Sequence, residues 1–274
     1  MARSNSRVGA LLRIVTDADF PVPPPPDDEP ATPESTREEL LGDQTRRGPA
    51  IRSAFLQERG GDRAPGSLQH FVRERRLFAL QLYLLLHCRA RSEPWDAAFP
   101  AATWARMLDK TNTGAEGTVS RSWRWLEDHQ LVRTERYKRM VRAYLLNEDG
   151  GGEDYTRSRD FFYFPLAFFR EGWHTRLGLA GTSVLLICLD KSRYSPWFQL
   201  RTEPQSSWYG ISPDTLQRGL DELREASLVQ IHRRKIRDSK ARFGTTTINE
   251  YLLLGSFANP DLAPLLILPE NSSS

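Results

Sequence analysis

The sequence predicts an α+β fold that is mainly α-helical with small β-hairpins and is organised as two similar units. Three observations support this prediction. Residues 118–132 and 215–229 repeat one pattern of apolar residues at helical spacing that ends in Leu-Val. A strand, a basic turn and a second strand are predicted after each copy. A length of 274 residues also fits two domains of ordinary size.

Residues 1–66 are predicted to form a largely disordered, proline-rich N-terminal arm. The stretch 18–66 is poor in aromatic residues and rich in Pro, Asp, Glu, Arg and Gly, with four consecutive prolines from Pro23 to Pro26. Such a composition cannot bury enough apolar surface to offset the entropy that is lost on ordering. We expect this arm to be available to a protein partner.

The first unit is predicted to span residues 67–149. Ser67 is a candidate N-cap for a helix that runs to Arg91, and the second half of this helix is apolar nearly all round, which predicts a central, buried helix. A short helix over 101–109 and then the repeated helix follow. The predicted buried stripe of the repeated helix consists of Val119, Trp123 and Leu126.

The second unit is predicted to span residues 161–256, after a Gly-rich linker at 150–160 and before a C-terminal tail at 257–274. Its apolar stretch from Leu177 to Arg193 predicts a second buried helix. A short helix is predicted over 166–173.

A strong helix start opens the second copy of the repeated helix. Ser212 is a candidate N-cap, Pro213 occupies the first helical position, and Asp214 places an acid in the first turn. A short helix over 203–209 is predicted before it. The predicted buried stripe consists of Leu216, Leu220 and Leu223.

Positive charge is concentrated in two short windows, although the net charge of the whole chain is only +3. Residues 133–142 carry five basic residues and one acidic residue, and residues 233–242 carry six basic residues and one acidic residue. The rest of the chain is therefore net acidic. Each window falls on the hairpin predicted after one repeated helix, and positive charge clustered in this way is typical of a protein that binds a polyanion.

The order of helices followed by a hairpin, present twice, resembles the winged helix-turn-helix family. The resemblance covers residues 67–147 and 161–254. Thr118 to Val132 carry most of it, because they look like the recognition helix and first wing strand of bacterial winged-helix regulators. The second copy departs from the family in its long wing turn, Arg237 to Gly244. The resemblance implies two tandem winged-helix domains that bind double-stranded DNA.

Helix residues opposite the buried stripes are the candidates for contacts with DNA. In a major groove, arginine can grip guanine, glutamine can grip adenine, and serine or threonine can touch bases or phosphates. These candidates are Thr118, Ser120, Arg121, Arg124, Thr215, Gln217 and Arg218. Trp125 lies on the same face, and we expect it to be packed and half-buried. An ion pair of Arg121 or Arg124 with Glu127 or Asp128 is an open alternative.

Basic residues of the two hairpins are the candidates for contacts with phosphates or with a minor groove. They are Arg136, Lys138 and Arg139 in the first hairpin, and Arg233, Arg234, Lys235, Arg237, Lys240 and Arg242 in the second. A charged hairpin can also be a solvated sheet edge that its charge protects against aggregation. The presence of two such hairpins, each after a matching helix, favours binding over this alternative.

No motif in the sequence predicts an enzyme. The five histidines, His70, His87, His129, His174 and His232, do not pair with cysteines or acids at metal-ligand spacing. The sequence also contains no phosphate-binding loop and no dinucleotide fingerprint. We therefore expect no catalytic residue, no metal site and no cofactor.

Two features of the sequence predict a cytoplasmic protein that becomes nucleoid-associated when it binds DNA. Cys88 and Cys188 both fall in apolar helical segments, which favours buried thiols in a reducing compartment. The sequence has no run of about 18 apolar residues and no signal-peptide pattern, so we expect no contact with a membrane.

The leading hypothesis is a sequence-specific, double-stranded DNA-binding protein that acts as a bacterial transcriptional regulator. A replication initiator of a plasmid or other mobile element is the first alternative. A winged-helix adaptor that binds protein instead of DNA is the second, because a fold does not determine a function. The sequence leaves the target site, any effector and the formation of a homodimer open.

Overall fold

The computed structural model describes residues 30–42, 48–58, 64–200 and 202–262, with the side chains of residues 202–205 outside that description. Within these ranges the chain forms ten α-helices, two 3-10 helices and three small antiparallel sheets. The predicted α+β class is therefore confirmed.

A helix and a strand lie inside the segment that the sequence predicts to be disordered. Helix α1 (Pro33–Leu41) starts at Thr32, whose hydroxyl accepts a hydrogen bond from the Ser35 N–H at 3.1 Å. Strand β1 (Ala50–Arg52) follows and leads into a 3-10 helix at Ser53–Phe55. The expectation of disorder is wrong for these residues. Residues 1–29, 43–47 and 59–63 lie outside the described ranges.

The few apolar side chains of this N-terminal segment explain the difference. Four of them are fully buried and Leu40 packs partly buried against the core, so a small number of contacts is enough to hold the segment on the rest of the protein. The four fully buried side chains are Leu41, Ile51, Phe55 and Leu56. Average composition underestimates the tendency of such a segment to fold, because composition counts residue types and does not count the contacts that each residue makes.

The first repeat contains four helices and three strands. Its elements are α2 (Leu68–Arg73), α3 (Leu77–Arg89), β2 (Asp96–Phe99), α4 (Ala101–Met107), α5 (Ala115–Asp128), β3 (Val132–Tyr137) and β4 (Met140–Leu145). The single helix predicted from Ser67 to Arg91 is in fact two helices, because Arg75 adopts a left-handed conformation (φ 57°). Ser67 makes no capping hydrogen bond through its side chain.

The second repeat has the same order of elements after its own short leading segment. Its elements are β5 (Phe161–Tyr163), α6 (Ala167–Arg170), α7 (Trp173–Arg176), α8 (Leu179–Lys191), β6 (Trp197–Gln199), α9 (Thr202–Tyr209), α10 (Pro213–Glu225), β7 (Val229–Arg237) and β8 (Thr245–Leu253), followed by a 3-10 helix at Gly255–Phe257. The short helix predicted at 166–173 is two helical turns that Gly172 (φ 73°) separates. The predicted start at Ser212 is confirmed, because its hydroxyl accepts from the Thr215 N–H at 3.2 Å.

Each repeat carries one three-stranded sheet, and the two sheets have the same strand order. The orders are β2-β4-β3 and β6-β8-β7, all antiparallel. The outer strands β2 and β6 were not predicted from the sequence. They have four and three residues, so they are too short to show an alternating pattern.

The two apolar helices α3 and α8 form the centres of the repeats, as predicted. Residues 79–88 of α3 and 180–189 of α8 are all buried. Cys88 and Cys188 are fully buried and are not joined in a disulfide, and their burial raises the pKa of both thiols.

The two repeats belong to one compact unit. Strand β1, which precedes the first repeat, pairs with β5 at the start of the second. The Gln81 Nε2 of α3 donates to the His174 carbonyl oxygen of α7 at 2.6 Å.

The predicted linker at 150–160 is fastened to the same unit. The Arg52 Nη2 donates to the Thr156 carbonyl oxygen at 2.6 Å, and Tyr155 is buried. The stretch is therefore not a free spacer between the two repeats.

Candidate nucleic-acid interface

Helix α5 buries the predicted stripe and exposes the predicted candidates. Val119, Trp123 and Leu126 are at most 3% exposed. On the other side of the helix Ser120, Arg121 and Arg124 are exposed and Thr118 is half-buried. The placement follows from the 3.6-residue period, which puts residues three and four apart on one face.

Helix α10 repeats this arrangement 97 residues later. Leu216, Leu220 and Leu223 are buried in the positions of Val119, Trp123 and Leu126. Its candidates keep their positions too, because Gln217 and Arg218 are exposed and Thr215 is half-buried. The Gln217 amide donates to Asp221 Oδ2 at 3.2 Å, one turn further along.

The same threonine–arginine pair lies on both helices. The Arg121 Nη2 donates to the Thr118 hydroxyl at 3.0 Å, and the Arg218 Nη2 donates to the Thr215 hydroxyl at 3.2 Å. Each pair therefore presents one guanidinium group over the first half of its helix. Because the guanidinium has five N–H donors, one internal hydrogen bond leaves donors free for a ligand.

The alternative of an ion pair for Arg121 or Arg124 receives no support. Among the described residues, no carboxylate lies within 4.0 Å of either guanidinium. Glu127, one of the two acids considered, accepts instead from the Thr134 N–H at 2.8 Å and from the Thr134 hydroxyl at 2.7 Å. Its carboxylate ties α5 to β3 and is not directed at the arginines.

Trp125 is more deeply buried than the sequence predicts, at 7% exposure. Its Nε1 donates to Glu74 Oε2 at 2.6 Å, and its ring stacks on His129 with centroids 3.9 Å apart. The hydrogen bond from Trp125 is the largest cause of a lowered pKa of the Glu74 carboxyl. Trp125 packs inside the protein and cannot stack on a base.

A cavity of about 210 Å³ lies beside the exposed arginine of α5. Thr118 and Arg121 line one side of it, and Arg75 and Arg76 line the other from the turn between α2 and α3. Arg76 also lies 3.7 Å from Glu74. Three arginine residues therefore line a small cavity, and the charge of one of them, Arg76, is partly offset by Glu74.

The tip of the first hairpin is basic and tightly turned. The strands β3 and β4 close at the pair Tyr137–Met140, so that Lys138 and Arg139 form a two-residue turn, with Lys138 in the left-handed region (φ 55°). Arg136, Lys138 and Arg139 are all exposed.

The second hairpin is longer and carries its positive charge on one face. Val229 and Ile231 point toward the core at its base, and the alternation of the strand places Arg233, Lys235 and Arg237 on the same face further out. All three basic residues are exposed, and within the described ranges none of them forms an ion pair.

Arg234 differs from its neighbours, because it lies on the other face of the hairpin. Its Nη2 forms an ion pair with Glu250 Oε1 at 2.9 Å. The positive charge of Arg234 is thus compensated by a carboxylate of the same chain. Within the described ranges Arg233, Lys235 and Arg237 on the opposite face have no such partner.

The turn between β7 and β8 carries the remaining candidates. Lys240 and Arg242 are exposed in a turn that the Asp238 N–H closes on the Gly244 carbonyl oxygen at 2.9 Å. Phe243 lies between them and the second strand and is 83% exposed. Phe243 was not among the candidates from the sequence, although an aromatic residue inside a basic turn could have indicated a contact with nucleic acid. Apolar side chains of this kind can wedge between base steps.

A group of side chains with metal-ligand geometry was also not predicted from the sequence. The ligand atoms of His70, Glu74 and His129 all lie within 4.8 Å of one another. The expectation that no histidine pairs with an acid at metal-ligand spacing is therefore wrong for His70 and Glu74. They are four residues apart, which is one helical turn, and this spacing was visible in the sequence.

No helix of the described residues combines the length and the apolar character that a membrane span requires. No protein-family model matches the chain, and no curated protein matches it.

Proposed function

We propose that this chain is a sequence-specific, double-stranded DNA-binding protein built from two tandem winged-helix units. One observation carries the proposal: both repeats place a threonine–arginine pair, with the arginine exposed, on the helix that directly precedes a hairpin with a basic tip. The two arrangements have the same order of elements and the same strand order. A structural role alone would not require uncompensated arginines at equivalent positions.

In this proposal α5 and α10 are the recognition helices. Their exposed faces enter the major groove, where Arg121 and Arg218 can each contact a guanine and Gln217 can contact an adenine. Thr118, Thr215 and Ser120 face phosphates or base edges near the start of each helix. Arg124 lies one turn after Arg121 on the same exposed face, where it can reach a phosphate.

The hairpins act as wings that hold the DNA backbone. Arg136, Lys138 and Arg139 form the first wing tip, and the face of Arg233, Lys235 and Arg237 forms the second. Each cation that displaces a condensed counterion contributes to affinity without reading sequence.

As a biological role we propose a bacterial transcriptional regulator in the cytoplasm, associated with the nucleoid when it is bound to DNA. It would act by blocking or recruiting other proteins at a promoter. The sequence analysis expects the N-terminal arm to bind a protein partner. Residues 1–29 of this arm lie outside the described ranges.

A second candidate is a replication initiator of a plasmid or mobile element. The observation that favours it is the fastening of both repeats into one compact unit. A single chain of this kind can read two adjacent sites without forming a dimer, as recognition of directly repeated origin sites requires. A homodimeric regulator more often reads a palindrome.

The first experiment is a selection from sheared genomic DNA with the purified full chain at about 150 mM salt, which is near physiological ionic strength. Enrichment of a motif near promoters supports the regulator, and enrichment of tandem repeats near an origin supports the initiator. Retention without enrichment contradicts sequence specificity. Absence of retention contradicts DNA binding and leaves the winged-helix adaptor of proteins as the better hypothesis.

Two variants test the recognition helices on the selected motif. Arg121→Ala and Arg218→Ala are each expected to weaken binding by about 1–3 kcal/mol and to relax the preference at one position. Arg224→Ala is the matched control, because Arg224 lies on α10 but pairs with Asp221 at 3.3 Å. If Arg218→Ala and Arg224→Ala weakened DNA binding equally, the assignment of the Arg218 face of α10 to the DNA would be contradicted.

A second pair of variants tests the wing. Arg233→Ala removes a cation from the uncompensated face, and we expect the slope of log affinity against log salt to become shallower by about 0.9. Arg234→Ala removes the same charge from the same strand, but this charge is already paired with Glu250, so we expect a smaller change. Identical slopes for the two variants would show that the wing face does not contact phosphates.

A further inference from the structure

The side chains of His70, Glu74 and His129 meet between α2 and the C-terminal end of α5. His70 lies in α2, Glu74 ends it, and His129 ends α5. The His129 Nε2 lies 3.1 Å from Glu74 Oε1, and the rings of His70 and His129 have centroids 5.2 Å apart. Glu74 is exposed and the two histidines are partly exposed, so an ion can reach them from solvent.

The hydrogen bonds around His129 determine what lies between His129 and Glu74. The His129 Nδ1 is 2.8 Å from the Trp125 carbonyl oxygen. Because a carbonyl oxygen only accepts hydrogen bonds, Nδ1 must carry a proton and donate it. In a neutral imidazole the other nitrogen, Nε2, then carries a lone pair.

In that form the Nε2 lone pair would face a carboxylate oxygen of Glu74, which is also an acceptor. Two acceptors 3.1 Å apart need a cation between them, either a proton on Nε2 or a metal ion. The same arrangement, in which the far ring nitrogen of a histidine donates to a backbone carbonyl, orients metal-binding histidines in proteins. The second oxygen of Glu74 is held by the Trp125 Nε1 at 2.6 Å, so the carboxylate is oriented as well.

His70 supplies the third ligand. Within the described ranges its ring makes no hydrogen bond, and it contacts the His129 ring. Metal–nitrogen and metal–oxygen bonds of about 2.0–2.2 Å place tetrahedral ligands roughly 3.3 Å apart. The ligand atoms of the three side chains lie within 4.8 Å of one another, so this separation requires the His70 nitrogen to move closer to the other two ligand atoms when an ion binds.

We propose that His70, Glu74 and His129 bind one divalent transition-metal ion of the zinc class. Two imidazole nitrogens and one carboxylate oxygen suit zinc better than magnesium or calcium, which prefer oxygen ligands alone. The three side chains leave one tetrahedral position to water.

A bound ion would fasten α2 to the end of α5. Helix α5 carries Arg121 at its exposed face, so the ion would restrict the motion of that helix against the core. The effect on DNA rests on the proposed function, whereas the binding of the ion does not.

Metal binding is measured directly on the tag-free full chain. The protein is stripped with a chelator, dialysed and titrated with Zn²⁺ and separately with Mg²⁺ by calorimetry. We expect about one Zn²⁺ per chain, no binding of Mg²⁺, and a higher melting temperature with Zn²⁺. No stoichiometric Zn²⁺ binding by the full chain would overturn the proposal.

His70→Ala is the first variant, because within the described ranges the His70 ring makes no hydrogen bond and the substitution leaves the backbone hydrogen bonds of α2 in place. We expect its Zn²⁺ affinity to fall more than about tenfold and its melting temperature to stop responding to Zn²⁺. Glu74→Gln tests the carboxylate in the same way. His232→Ala is the matched control, since His232 is exposed on β7, and it should bind Zn²⁺ as the unchanged protein does. Equal affinity of His70→Ala and His232→Ala contradicts the site.

DNA binding is measured separately with and without Zn²⁺. Tighter DNA binding with Zn²⁺ in the unchanged protein, absent in His70→Ala, supports the coupling of the site to α5. Stoichiometric Zn²⁺ binding without any DNA binding overturns the proposed function and leaves the metal site standing.

Discussion

His87 and Glu148 are buried ionisable side chains whose pKa values shift in opposite directions. Burial lowers the pKa of His87 to about 3, and burial raises the pKa of Glu148 to about 7. His87 lies in α3 between the rings of Tyr83 and Tyr155. Glu148 accepts from the Arg52 N–H at 3.0 Å and keeps its carboxylate beside the Arg52 guanidinium.

The two shifts have opposite consequences for stability. Below the ordinary pKa of about 6.5, unfolded His87 takes up a proton that the folded state excludes, so the free energy of unfolding falls as the pH falls. Between the ordinary pKa of Glu148, 4.5, and about 7, the folded state holds a proton that the unfolded state releases, so the free energy of unfolding rises as the pH falls. Over the shared window the two effects oppose each other.

Single variants are expected to separate these effects. His87→Gln should become more stable on acidification from about pH 7 to about pH 5, and Glu148→Gln should become less stable, by up to roughly 1.4 kcal/mol per pH unit in each case. The measurement is urea denaturation at several pH values. The same pH dependence in both variants would contradict the opposite shifts.

Residues that face solvent from a regular helix were predictable, and Trp125 was expected to be packed and half-buried, but the full depth of its burial was not predictable. The exposure of Arg121 and Arg218 follows from the position of the buried stripes along the chain. The burial of Trp125 depends on Glu74, 51 residues away, which caps its indole N–H. No local pattern contains that partner.

Helices α8 and α10 approach each other closely, and Gly219 allows it. A Cβ at Gly219 would lie 2.4 Å from Val184 Cγ2 and 2.5 Å from the Ala180 carbonyl oxygen. Glu222 strengthens the same contact, because its Oε2 accepts from the N–H groups of Gly178 and Gly181 at 2.9 and 3.1 Å. These two N–H groups lie at the start of α8, where a helix leaves donors unpaired.

Gly219→Ala is therefore expected to destabilise the protein by about 1–3 kcal/mol, because the added methyl forces α10 away from α8. Gly117→Ala is the matched control on α5. Its Cβ would meet only the flexible Arg121 side chain at 3.3 Å, so we expect a gain of roughly 0.5–1 kcal/mol from helix propensity. Both are measured by urea denaturation, and changes of the same sign in the two variants would count against this packing.

Helix α1 shows how an element can escape prediction from composition. Arg37 is 5% exposed, pairs with Asp109 and donates to the Met107 carbonyl oxygen at 3.3 Å. Asp109 in turn lies 2.6 Å from the His174 Nε2 of the second repeat. A composition rich in polar residues favours a prediction of disorder. In α1, however, such residues form a buried network that holds α1 on α4.

At the scale of the whole molecule, the contacts between the repeats constrain what the protein can bind. The β1–β5 pairing, the Gln81–His174 hydrogen bond and the fastened linker join the repeats in one unit. On the proposed function, the two recognition helices therefore read sites at one preferred spacing. A flexible linker would instead tolerate many spacings.

Insertion of about five base pairs between the two halves of the selected motif rotates one half by half a turn. We expect this insertion to weaken binding more than tenfold, because the repeats cannot follow the rotation. The control is the same insertion outside the motif, which should leave affinity unchanged. Equal affinity for both DNAs would show that the repeats move independently or that only one of them reads DNA.

The sequence by itself determined the features that depend on neighbouring residues. These are the repeated helices with their buried stripes, the hairpins with their basic tips, the start of α10 at Ser212 and the buried centres of α3 and α8. Helical period, capping chemistry and charge clustering are local properties, so they can be recognised without a fold.

Only the tertiary structure decided the features that join distant parts of the chain. The folded N-terminal segment, the strands β2 and β6, the depth to which Trp125 is buried and the meeting of His70 and Glu74 with His129 all depend on partners far away in sequence. The physical reason is that burial and pairing are properties of contacts, and a short segment does not contain the partners that stabilise it.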